Sequence, residues 1–157
     1  MDSKKVFADF QFASNRVSKF LLETKSLDTR GYTVNASYDV DYNILEIIEE
    51  EDRYIGLVEF STVIKAKIKN SILYKINLCM EGIFLGNPKK LDAEQFSKML
   101  ELNGVATLSQ LCRSYIISTS SLSGLNPPVK LPMINIHALR EYKHSQKENG
   151  AQNNSLD

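Results

Sequence analysis

His137 stands four residues before Glu141, a spacing that brings two side chains together on one face of a helix. An imidazole beside a carboxylate can act as a general base, so this is the first place to look for catalysis. A surface histidine near a carboxylate is also commonplace, and nothing else in the sequence completes a constellation around it. There is no GxSxG elbow, no glycine loop to cradle phosphate and no HExxH. Asp39 and Asp41 share the exposed face of a strand pattern, but nothing there would raise the pKa of one against the other. Cys79 and Cys112 stand alone, without CxxC or metal-ligand spacing to His137 or His144, and both fall inside apolar patterns that read as buried thiols. Arg113, an odd residue within an apolar helix pattern, suits a snorkelling or ion-paired position at an interface. The expectation is a protein that is not an enzyme and that has no cofactor and no metal.

Composition narrows the alternatives. Hydrophobic residues make up 43% of 157 residues, enough for one domain with a real core. Lys plus Arg equals Asp plus Glu, at 19 each, so no basic footprint for nucleic acid is evident. The basic block Lys65 to Lys69 is offset by the acidic run Glu49-Glu50-Glu51-Asp52, and both read as solvated faces or turn edges. The N-terminus lacks the continuous apolar stretch of a signal peptide, and no segment approaches the roughly 18 apolar residues of a membrane span. A cytoplasmic location without membrane insertion is expected.

The elements that would position any site fall into two halves. From Phe10 to Leu22 the chain is extended in character, with Phe10, Phe12, Phe20 and Leu22 sharing one parity. The clearest period of two follows, with Val34, Ala36, Tyr38, Val40, Tyr42 and Ile44 alternating with Asn35, Ser37, Asp39, Asp41 and Asn43. Val58 to Ile68 repeats the pattern, and Ile72 to Phe84 repeats it again after a turn near Lys69-Asn70-Ser71. These runs predict a meander of about four antiparallel strands with one buried and one wet face.

Helices are predicted beyond Asn87-Pro88. Asp92 with Gln95 has the form of a capping box, Phe96, Met99 and Leu100 make an apolar stripe, and Asn103-Gly104 reads as a stop. A second helix is expected from Thr107, with Gln110 three residues on, through Leu108, Leu111, Cys112, Tyr115, Ile116 and Leu122 to Ser123-Gly124. Pro127, Pro128 and Pro132 then forbid a helix, yet the stretch Leu125 to Ile134 is unusually apolar for a loop. Something must cover or use those side chains. Asn135 caps a last short helix through Ala138, Leu139 and Tyr142, after which the tail turns polar. The expected organisation is a flexible segment 1–9, one domain over 10–143, and a polar disordered tail 144–157.

With these residues laid out, the chain resembles the SecB family of cytosolic chaperones. The resemblance rests on Gly82-Ile83-Phe84 at a strand end, on the helix Leu108 to Ile116 with Arg113, and on Leu131-Pro132-Met133-Ile134-Asn135-Ile136 followed by Ala138-Leu139. It covers roughly Phe10 to Tyr142 and is strongest over the second half. It implies an α+β fold, a four-stranded antiparallel sheet with helices packed on one face, assembled as a dimer of dimers. It also implies an ATP-independent holdase that binds unfolded or precursor polypeptides in an apolar groove, with a role in protein export.

The groove residues matched by the resemblance are Tyr38, Val40, Tyr42 and Ile44 on the strand side, and Leu125, Val129, Leu131 and Met133 on the loop side. The alternative for the same eight residues is ordinary core beneath a loop, a reading that fits the four strand residues better than the four loop residues. Classical members dock the export ATPase SecA through acids on the exposed sheet face. Here Lys19 and Asn77 replace expected acids, Lys75 adds the wrong sign, and only Glu23 keeps an acid. A helix proline of the family appears as Gln110. The chaperone role therefore fits the residues better than SecA-dependent export. A dedicated adaptor for a single client, such as the antitoxin of a toxin–antitoxin pair, is the alternative.

Overall fold

The computed structural model describes residues 8–153, with side chains described over 8–148. Four long strands form one antiparallel sheet: β1 (Phe10–Thr24), β2 (Asn35–Glu49), β3 (Tyr54–Ile68) and β4 (Ser71–Gly86). Three helices follow, α1 (Ala93–Met99), α2 (Val105–Leu122) and α3 (Ile136–Asn153). The predicted α+β architecture is the one observed. The expected N-terminal segment 1–9 lies almost entirely outside the described residues.

The sheet is not a simple meander. Its order is β1-β4-β3-β2, so β2, β3 and β4 are joined by hairpins while β1 pairs with β4 at the far edge. Residues 25–34 must therefore cross the whole end of the sheet, and Gly31, at φ 74°, supplies a left-handed turn on the way. β1 also explains why its alternation is weak in sequence. Register shifts between Phe12 and Ser14 and between Val17 and Lys19 reverse the parity twice. Phe10, Val17, Phe20 and Leu22 consequently all pack on the core despite mixed parity.

The core lies between one sheet face and the helices. Val58, Phe60, Ile64, Ile76, Leu78 and Phe84 from β3 and β4 meet Phe96, Leu100, Leu108, Cys112 and Ile116. Phe10 stacks on Phe84 with ring centroids 5.4 Å apart, and Phe20 meets Tyr115 edge-on at 5.1 Å. Two strand glycines permit the closest approach. A Cβ on Gly56 would stand 2.5 Å from Leu100 Cδ1, and one on Gly86 would stand 2.5 Å from Phe96.

Helix signals are matched at three points and overturned at one. Asp92 and Gln95 form the capping box in both directions, at 2.8 and 3.0 Å. Gly124, at φ 82°, ends α2. The Asn135 side chain accepts from the amide of Ala138. Asn103-Gly104, however, is not a stop, and Thr107 starts nothing. A π-helical turn, Leu100–Gly104, carries α1 directly into α2. Gly104 is in right-handed helical conformation, and a Cβ there would meet Phe84 and Val58 at 3.4–3.5 Å. Its smallness serves packing, which a local capping rule does not see.

Two further expectations shift. Leu122, read as part of the apolar stripe, is 89% exposed. The last helix does not end near Tyr142, so residues 144–153, read as a disordered tail, are helical. Lys, Gln and Glu over 143–148 are good helix formers, and polarity does not argue against a helix.

Candidate functional site

The strongest candidate is an apolar groove at the end of the sheet where β2 begins. Val34 and Tyr38 form one wall, Leu73 and Tyr74 lie between, and residues 125–130 form the other wall. The groove encloses about 490 Å³. Tyr38 is 45% exposed although it sits on the helix-side face of the strand. The reason is topological: β2 is an edge strand, and α3 lies along it only from Asp39 onward.

The second wall is held from below. The buried amide of Val129 donates to Ser120 Oγ at 2.9 Å, and Ser120 Oγ in turn donates to the carbonyl of Ile117. Val129 and Leu131 insert into the core beneath this anchor. Pro127 and Pro128 lack amide donors and have fixed φ, so the wall keeps its shape without internal hydrogen bonds. Ser120 was not singled out by sequence reasoning. The available signal was its place four residues beyond Ile116 on the buried face of α2.

The eight sequence-matched residues separate into distinct environments. Tyr38, Leu125 and Val129 come together at the groove. Tyr42 and Leu131, at 2% and 1% exposure, belong to the core, and Val129 is also mostly buried. Ile44 packs half-buried against that core. Val40 borders a separate depression with Leu139, Tyr142 and Lys143 of α3. Met133 is 69% exposed but lies against α2, where its sulfur accepts from Arg113 Nη1 at 2.7 Å. Arg113 makes no ion pair among the described residues.

Tyr42, at the middle of β2, is closed over by polar chemistry. Glu101 accepts from Arg140 Nε at 2.5 Å, lies 2.9 Å from His144 Nε2, and accepts from the Tyr42 hydroxyl at 3.4 Å. Burial alone would raise the Glu101 carboxyl, but the bonds from His144 and Arg140 outweigh it and hold it below its ordinary range. Burial first, and the Glu101 charge second, push the Tyr42 phenol up to about 12. Lys143 adds a 2.5 Å contact to Asp41 and sits 5.4 Å over the Tyr42 ring. These contacts pin α3 across the strand.

Elsewhere the chemistry is sparse. His137 and Glu141 are exposed and share no hydrogen bond among the described residues. Burial pushes the Cys112 thiol up to about 12, whereas Cys79 is only half-buried, not buried as its pattern suggested. Among the described residues no three His, Cys, Asp or Glu side chains gather to hold a metal, and no helix is long and apolar enough to cross a membrane. On the open sheet face, strand register aligns Lys19 with Cys79, Leu21 with Asn77 and Glu23 with Lys75. The replacements noted in the sequence thus share one surface.

No family model matches the chain, and no curated protein matches it. Solved structures do. The Mycobacterium tuberculosis SecB-like chaperone Rv1957, in complex with a ChAD peptide from the HigA1 antitoxin Rv1956, superposes with a TM-score of 0.58 at 13% identity. The match covers 80% of this chain and 91% of that one. A protein of unknown function from Streptococcus agalactiae gives a TM-score of 0.47 at 10% identity, covering 79% and 97%. The chain shares its fold with a SecB-like chaperone.

Proposed function

We propose that this protein is a non-catalytic holdase chaperone that binds an extended apolar stretch of unfolded or precursor polypeptide in the groove between Tyr38 and residues 125–130. The observation that carries the reading is an open apolar groove with a proline-fixed wall, left uncovered by the protein's own helices. Aromatic and aliphatic walls bind many sequences because their contacts are non-directional. At about 25 cal/mol per Å², a few hundred Å² of client surface gives several kcal/mol before ordering costs. Action in the cytoplasm and assembly as a dimer of dimers complete the proposal, since repeated grooves raise avidity without new contacts. SecA docking is not part of it, because Lys19 and Asn77 stand where the resemblance calls for acids and Lys75 adds the opposite sign beside them.

A second reading, a dedicated adaptor for one client such as an antitoxin, draws support from the neighbour of the same fold that was solved with an antitoxin peptide. Aggregation of a chemically denatured substrate, titrated with wild type and with Tyr38→Asp/Leu125→Asp, separates the two. A general holdase suppresses aggregation and loses this in the equally folded variant. No suppression at several-fold molar excess sinks the general holdase and leaves the single-client adaptor.

A further inference from the structure

The protein is neutral overall, but its longest acidic run lies away from the groove. The acidic run Glu49-Glu50-Glu51-Asp52 lies at the β2–β3 turn, at one end of the sheet. The groove lies at the other end, among lysines. Lys130 lines it directly. The Lys25 amide bonds to the carbonyl of Leu73, a lining residue. Lys69 Nζ sits 4.6 Å from the Tyr32 ring, on the connection whose Thr29 also lines the groove.

Of the acids at this end, Asp28 is occupied by Arg30. None of the lysines at positions 25, 69 and 130 forms an ion pair among the described residues. Lys65 and Lys75, opposite each other in register, belong to the open face of the sheet and take no part in the groove.

We infer that the groove selects polypeptide segments whose apolar residues are flanked by acids, so that Asp or Glu side chains meet these lysines as the apolar side chains enter the groove. The inference rests on the proposed polypeptide-binding role and specifies its client. Charge complementarity of this kind sets specificity and association rate more than it adds raw affinity.

The test uses the full chain and three labelled peptides with one apolar core, flanked by glutamates, glutamines or lysines, with binding read by fluorescence anisotropy. The expected order is acidic, neutral, basic, with about a tenfold span at low salt that collapses as salt shortens the screening length. In the Lys69→Glu/Lys130→Glu variant, whose two sites are exposed, the order reverses. Equal binding of all three, or tightest binding of the basic peptide, overturns the charge inference and leaves the groove standing. No binding by any of them removes the groove reading as well. Salt-sensitive self-association of the protein, abolished by Glu49→Lys/Glu51→Lys, would instead assign the lysines to the acidic hairpin of a second copy and overturn the inference.

Discussion

Two positions on one face of β2 come to opposite ends. Tyr38 and Tyr42 are the same residue type on the same face, four positions apart, yet one is 45% exposed and the other 2%. The difference is what lies above them. Over Tyr42, α3 is held by Arg140, His144 and Lys143 acting on Glu101 and Asp41. Over Tyr38 there is only the proline-rich connection, which stands off and leaves a groove. An apolar strand face thus becomes core or binding surface according to its cover. Burial alone does not reward the strand until another element completes it.

The sharpest way to break this contrast is to truncate a residue on each side of it. Leu131→Ala removes a fully buried side chain and is expected to cost about 3 kcal/mol in urea unfolding. Tyr38→Ala is expected to change stability by about 0.5 kcal/mol or less while abolishing most peptide capture. If the two lose stability equally, the groove is core and the contrast is false.

The cover over Tyr42 can be opened by chemistry. Glu101→Ala removes the shared acceptor of Arg140, His144 and Tyr42, and is expected to cost about 1 kcal/mol, discounted for a carboxylate that water still reaches. The sign of the pH effect follows from the direction of its shift. A carboxyl held below its ordinary value contributes stability at neutral pH, and that contribution fades as acid protonates it below about pH 5. Wild type should therefore lose more stability than Glu101→Ala between pH 7 and the acid range, as read by parallel denaturant titrations. Parallel curves would show that the three contacts do not hold α3.

The smallest effect is expected at the boundary. Thr62 pairs with Val40 in register, and its buried hydroxyl has no hydrogen-bond partner among the described residues. Thr62→Val keeps the shape and removes the unpaired polar atom, so stability should rise by about 1 kcal/mol. A loss would mean that the hydroxyl is bonded in solution.

Much of this molecule was legible in its residues. The alternation in β2, β3 and β4 fixed which side chains face the helices, because a strand places successive residues on opposite faces. Asp92 with Gln95, Gly124 and Asn135 marked helix ends through bonds made within a few residues. Those are local effects, and a sequence carries them in full. The place of β1 beside β4, the parity reversals within it, and the packing role of Gly104 are set by contacts between distant residues, and so were not legible.

The candidate site divides in the same way. The sequence by itself determined that Tyr38 to Ile44 and Leu125 to Ile134 are apolar and that prolines keep the second stretch out of a helix. Only the tertiary structure decided which of them remain uncovered. Val129 and Leu131 are drawn into the core by the Ser120 anchor, Tyr42 is sealed by α3, and Tyr38 is left open at the edge of the sheet. Apolarity is a property of a side chain, but exposure belongs to the arrangement of everything around it.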